Sequence, residues 1–187
     1  MVNNNQEQMK AFQNSVAMTV TLISFGMLFA TLFLGYFLAR YNAPVWPPVE
    51  LQDLPKFLPL ASTFVIALSS LAYYMFEKVE QGKGKFWFLT FGLGIIFLVL
   101  QWILWGELKV RGIYVDNGHF PSMVYAFTWI HAVHILMGLA TLLWLGRFVF
   151  KKNKKHLLTQ QKIINVGKFW HFLGIVWFLI YLMMFVL

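Results

Sequence analysis

Cysteine is absent from this 187-residue chain. That excludes disulfides, thiolate metal sites, iron–sulfur clusters and a covalently attached c-type haem. Charge is scarce too: 12% of the residues are charged, where a soluble domain has about 25%. Five long apolar stretches, near Val16–Ala39, Phe57–Phe76, Phe86–Gly106, Ser122–Phe148 and Lys168–Leu187, contain no Asp or Glu. Proton relays and ion-coupled transporters keep carboxylates at membrane depth, because something there must hold and release the ion. Without them, the chain is not expected to move protons by itself. It has no internal repeat with obvious register, no separate soluble domain and no nucleophile beside a base. A signal peptide is not expected either, since Met1–Asn14 is polar with no basic lead into a short apolar run.

What is present is hydrophobic. Apolar residues make up 59% of the chain, and crossing the hydrocarbon takes about 20 residues. Backbone groups in lipid must be satisfied within their own segment, so the five stretches are predicted to be helices. The expected fold is all-α, a polytopic bundle of five transmembrane helices forming a single membrane domain over residues 1–187. The net charge of +8 is unevenly placed. Lys10, Lys78, Lys83, Lys85, Arg147, Lys151, Lys152, Lys154, Lys155, Lys162 and Lys168 fall on one side of an up-down bundle, and only Arg40, Lys56, Lys109 and Arg111 on the other. The positive-inside rule puts the first group, with the N-terminus, in the cytoplasm and Leu187 on the periplasmic or outer face. The basic loops suit anionic lipid headgroups, each basic residue contributing on the order of 1 kcal/mol. Membrane lipid is therefore the expected partner, and nucleic acid is not.

The connections are short, which predicts that successive helices are antiparallel neighbours. Tyr41–Lys56 carries Pro44, Trp46, Pro47, Pro48 and Pro55 and cannot be helical throughout. Gly82 and Gly84 punctuate the next connection, and Asp116-Asn117-Gly118 signals a turn before the fourth span. Gly92, Gly94, Gly138 and Gly174 read as points of close helix approach. Trp87, Trp102, Trp105 and Trp170 read as interface-belt residues.

The polar groups inside the spans are the candidate site. His131 and His134 are three apart and share a helical face. His134 would lie roughly 20 Å from the outer end of its span and His171 roughly 5–10 Å inside the cytoplasmic end of the last. In one reading these imidazoles bond between helices or to bound lipid, at about 0.6–2 kcal/mol each. In another they ligate haem or a metal. His131 and His134 cannot both be axial ligands of one iron, which leaves a bis-histidine b-haem on His134 and His171. A metal would want a third ligand, and a histidine-only proton relay lacks acidic partners. The structural or lipid-contacting reading is favoured. Gln101 reads as an interhelical contact, and Arg147 sits where its side chain reaches headgroup phosphates. Trp170 joins this set of lipid or interhelical polar contacts, and no catalytic, cofactor-binding or metal residue is assigned.

Two stretches carry a family resemblance. His131-Ala132-Val133-His134-Ile135-Leu136-Met137-Gly138 is similar to the His-Gly-x-His-Val-x-x-Gly segment in the penultimate helix of haem–copper oxidase (cytochrome c oxidase) subunit III. Trp170-His171-Phe172-Leu173-Gly174-Ile175-Val176-Trp177 resembles the Trp-His-Phe-x-Asp-x-x-Trp opening of that family's last helix. Trp46-Pro47-Pro48, Thr63, Ser69 and Gln101 follow the same order along the chain. The likeness covers all five spans sparsely and corresponds to the five-helix bacterial form. There are departures. Ile23-Ser24 is followed by Phe25 where the family often has glutamate; Gly174 stands for an aspartate, Leu104 for an acidic residue and Trp129 for a glycine.

The resemblance implies a subunit without redox centres, the haems and copper belonging to the catalytic subunit. It implies subunits I and II as partners, a place in a respiratory supercomplex, bound phospholipid and a bacterial inner-membrane location. The implied function is a non-catalytic accessory subunit of a cytochrome c or quinol oxidase that reduces oxygen to water. The alternatives are a membrane b-haem electron carrier, a subunit III-like component of a nitric oxide reductase and a small transporter, the last disfavoured by the missing acids.

Overall fold

The structure, a computed structural model, describes residues 2–46, 54–79, 83–149 and 157–186. Pro47, Pro48, Gly82, Lys151–Lys155 and Leu187 lie outside the described residues. Five helices follow in order: α1 Val2–Asn42, α2 Phe57–Lys78, α3 Lys83–Val110, α4 His119–Val149 and α5 Leu157–Tyr181, the last running on into a π-helical turn, Leu182–Val186. All five are long and apolar enough to cross a membrane, as the unbroken apolar runs predict.

Several helices outrun their apolar stretches. At 41 residues, α1 is about 60 Å long, twice a hydrocarbon core of about 30 Å. Its Asn- and Gln-rich first turns, which precede the apolar stretch, are helical. Where these polar turns end, the Asn14 carbonyl accepts from Asn165 Nδ2 of α5 at 3.2 Å. At the opposite end α3 stops in a Schellman turn: Gly112 adopts φ +75°, its N–H reaches the Lys109 carbonyl and that of Ile113 the Leu108 carbonyl.

One expected neighbour relation is corrected. α2, α3, α4 and α5 pack in succession, but α1 lies along α5, with a narrower contact to α4, rather than along α2. The connection from Asn42 to Phe57 is long enough to carry the chain across the end of the bundle. α1 is also the least buried helix: 6% of its most apolar stretch is buried, against 33–50% for the other four. α5 is the hub, in contact with α1, α2 and α4.

Aromatic side chains fill the centre. Tyr36, Tyr73, Phe76, Phe97, Trp170 and Trp177 are almost wholly buried. Trp87 and Trp170, expected at the membrane interface, are core residues instead. The Trp87 indole N–H donates to the Leu142 carbonyl at 3.2 Å, and both rings lie on glycines of facing helices. A Cβ on Gly146 would stand 2.9 Å from the Trp87 ring; one on Gly94 or Gly138 would stand 2.9 Å from that of Trp170. Gly92 and Gly174, also expected at close approaches, have nothing within 4 Å of a built Cβ. The close approaches are at glycines with a large side chain opposite, whereas these two are half-buried with open space beside them. Trp102 is exposed and Trp105 partly buried, its indole donating to Thr128 Oγ1 at 3.0 Å.

Candidate functional site

Several polar side chains at membrane depth form bonds from helix to helix. α2 supplies small hydroxyls, and the facing helices supply the long donors. The Trp170 indole N–H on α5 donates to Ser69 Oγ at 3.2 Å, and Ser69 donates onward to the Thr90 carbonyl of α3 at 3.0 Å. Two turns later the Trp177 indole N–H donates to Thr63 Oγ1 at 3.1 Å. Seven residues make almost two helical turns, so Trp170 and Trp177 share the face of α5 that looks at α2. Gln101 Nε2 on α3 donates to Ser62 Oγ at 3.2 Å, and Ser62 closes on the Leu58 carbonyl. Ser and Thr hydroxyls suit this geometry because they fold back on their own helix and still accept from a neighbour.

The three histidines are held apart. His131 is wholly buried among aromatic rings of three other helices, Phe29, Phe97 and Trp177, with ring centroids at 6.3, 5.7 and 5.4 Å. Among the described residues neither of its ring nitrogens has a hydrogen-bond partner, and Gln101 Oε1 is buried and unpartnered as well. Leaving such groups unsatisfied costs about 1–3 kcal/mol each. His134, one turn on, is buried with its Nδ1 2.7 Å from the Ile130 carbonyl. A carbonyl only accepts, so Nδ1 carries the proton. The His134 ring meets Phe25 and Phe29 of α1 at 4.7 and 5.2 Å.

His171 faces a different helix. Its Nδ1 lies 2.5 Å from Ser70 Oγ, and its ring is edge-on to Tyr73 of α2 at 5.9 Å. His134 therefore looks at α1 and His171 at α2, and the two do not converge on one iron as a bis-histidine haem demands. No group of three or more His, Cys, Asp or Glu residues among those described is arranged to hold a metal ion.

The basic end of α4 and α5 carries a second set. Arg147 is exposed. Lys162 Nζ sits 4.9 Å from the Trp144 ring centroid and 3.9 Å from that of Phe148, an ammonium held by cation–π contact at a helix end. On the neighbouring face, Tyr73 donates to the Ile163 carbonyl at 2.7 Å. A Cβ on Gly167 would collide with the Glu77 carboxylate and the Tyr73 ring.

Sequence reasoning singled out Gln101, His131, His134, His171, Arg147 and Trp170. The structure joins Gln101, His171 and Trp170 to α2, turns His134 to α1, and leaves Arg147 at the surface. Missed were Ser62 and Ser70, which carry no signal of their own, and Lys162, which loses itself among the other lysines. Thr63 and Ser69 were noticed for their order along the chain; the indole bonds they accept from Trp177 and Trp170 were not.

Comparison with known proteins covers the whole bundle. A family model described as cytochrome c oxidase subunit III matches residues 4–187. A probable cytochrome c oxidase subunit 3 from Nocardia farcinica is 31% identical over 170 residues, which is 87% of this chain and 82% of that protein. Cytochrome c oxidase subunit 3 from Lachancea kluyveri is 30% identical over 176 residues, 86% of this chain and 62% of that one. A heme-copper oxidase subunit I+III from Aeropyrum pernix is 25% identical over 177 residues, 88% of this chain, which spans only 22% of that longer protein.

Proposed function

The chain belongs to the cytochrome c oxidase subunit III family, and from that premise we propose that it is the non-catalytic accessory subunit of a bacterial haem–copper terminal oxidase. It packs beside the catalytic subunit, with subunit II as a further partner, and helps keep the complex intact while the catalytic subunit reduces oxygen to water. The family match along residues 4–187 carries this reading. Two features of the bundle support it. Several intramembrane polar groups are spent on helix-to-helix bonds, as in Trp170–Ser69–Thr90 and Trp177–Thr63, and His134 and His171 face different neighbours. A relative named for subunits I and III together supports a close contact between this chain and a subunit I.

The purified chain is expected to show no haem absorption, while the oxidase containing it shows the haem bands of its catalytic subunit. A stoichiometric haem spectrum from the chain alone, bleached by His134→Ala and by His171→Ala, would overturn the assignment in favour of an electron carrier.

Phospholipid is the expected ligand, held at the basic end of α4 and α5 by Arg147 and by Lys162 over Trp144 and Phe148. That end faces the cytoplasm and the π-helical end of α5 the periplasm, in line with the distribution of basic residues. Arg147→Gln with Lys162→Gln removes two charges at about 1 kcal/mol each, so affinity for anionic lipid should fall roughly 30-fold. Native mass spectrometry of the intact oxidase against added phosphatidylglycerol measures this. Unchanged lipid adducts would remove these two residues from the binding site.

A further inference from the structure

At the centre of the bundle, three polar atoms on two helices face one another's level without partners. Gln101 spends its amide nitrogen on Ser62, while Gln101 Oε1 and both ring nitrogens of His131 are buried and unpartnered. Both side chains are wholly buried. The antiparallel register of α3 and α4 brings them to the same depth. Trp105 is bonded to Thr128, and Gly94 lies against Leu139; counting from either contact sets Gln101 opposite position 132, next to His131, and Phe97, one turn before Gln101, already touches the His131 ring.

A neutral imidazole offers one N–H and one lone pair, and an amide oxygen only accepts. One molecule that both accepts and donates answers the pair. We propose that His131 and Gln101 share a buried water, which accepts from the imidazole N–H and donates to Gln101 Oε1. Buried waters are found where polar groups converge, typically making about three hydrogen bonds, whereas apolar cavities stay dry.

The enclosure selects for size. Phe29 of α1, Phe97 of α3 and Trp177 of α5 surround the imidazole, and Phe97 is edge-on to Trp177 at 4.9 Å. A lipid headgroup has no way in, and the lone histidine is no metal site among the described residues. The water sits where α2, through Ser62, α3 and α4 meet under a lid from α1 and α5. It belongs to the folding of the bundle and does not depend on the role assigned to the subunit.

Solid-state NMR of the full chain in lipid bilayers, with histidine side chains labelled with nitrogen-15, tests the site. The His131 signal is identified by its loss in His131→Phe. Magnetisation should pass from water protons to the His131 N–H although the surrounding backbone amides are protected from exchange. Gln101→Leu should lower that transfer by roughly half, because one of the water's two anchors is gone. Gln101→Met, which keeps the chain length and some polarisability, should do the same if the leucine variant misfolds. A His131 N–H that receives nothing from water in the native bilayer sample, or that contacts the Gln101 amide directly, overturns the proposal.

Discussion

Trp170→Ala will cost about 3–5 kcal/mol of unfolding free energy, the range for deleting a large buried aromatic. The ring is 1% exposed and lies between the backbones of α3 and α4, where Gly94 and Gly138 leave room for it. The two glycines present backbone held by its own helix, so the space they leave for the ring cannot close by backbone movement; the ends of Leu139 and Leu173 lie beside it. The indole bond to Ser69 is the smaller part of the loss, since Ser69 keeps its own bond to the Thr90 carbonyl. Gly138→Ala attacks the same contact from the other side. Its methyl would meet Trp170 Cζ3 at 2.9 Å and Leu173 Cδ1 at 3.0 Å, an overpacking cost of about 1–3 kcal/mol. The two changes should be strongly non-additive. In the Trp170→Ala background, Gly138→Ala should be neutral or mildly stabilising, because its methyl then fills space. Denaturant titration of the four proteins in mixed micelles measures the cycle. A Trp170→Ala loss below about 1 kcal/mol, or full additivity, would mean that the ring is not the wedge described.

Phe25→Glu has the second large effect, and it concerns a partner more than a site. Phe25 follows Ile23-Ser24 at the place where the family pattern often carries glutamate, and its ring stands edge-on to His134 at 4.7 Å. The His134 proton is on Nδ1, committed to Ile130, which leaves Nε2 as the acceptor. A carboxyl group introduced at position 25 is placed to donate to that nitrogen or, once ionised, to pair with the imidazolium. The variant should therefore fold despite the roughly 2.5–3.5 kcal/mol cost of an acid at membrane depth. Its stability should come to depend on His134. In the native background His134→Leu should cost about 1 kcal/mol; together with Phe25→Glu it should cost about 3–5 kcal/mol, because the acid is then left alone. Phe25→Gln serves as the uncharged control. Equal costs of His134→Leu in both backgrounds would show that positions 25 and 134 do not communicate.

Much of the fold was legible because lipid is a simple solvent. Long runs without charge dictate helices, and the number of runs dictates the number of helices. The ends were less legible. Hydropathy marks the part of a helix that sits in hydrocarbon, whereas α1 and α5 continue beyond it because each packs on the other, as Asn14 and Asn165 show. Tryptophan misled for a related reason. An indole is suited both to the headgroup layer and to a slot between helices, and what decides is a glycine on another element, as Gly146 does for Trp87. The candidate site followed the same pattern. Gln101 and Trp170 announce themselves as polar groups at membrane depth, but their partners Ser62 and Ser69 are ordinary helix residues until a neighbour reaches them. Pairing the histidines by depth alone suggested a shared ligand; which helix each one faces undid that, and facing is a property of packing rather than of spacing.

The seating of α1 has a consequence for biosynthesis. Its partners lie almost a whole chain away: Tyr36 donates to the Met183 carbonyl, 147 positions on, and Asn14 accepts from Asn165, 151 positions on. The helix that leaves the ribosome first thus acquires its principal neighbour last. Contacts of such long sequence separation form late and slowly. Through most of translation α1 waits in the bilayer with its inner face, Phe29 and Tyr36 included, turned to lipid or to the insertion machinery. A nascent chain arrested before α5 would hold four inserted helices with α1 undocked from its principal neighbour, the form most exposed to quality-control proteases.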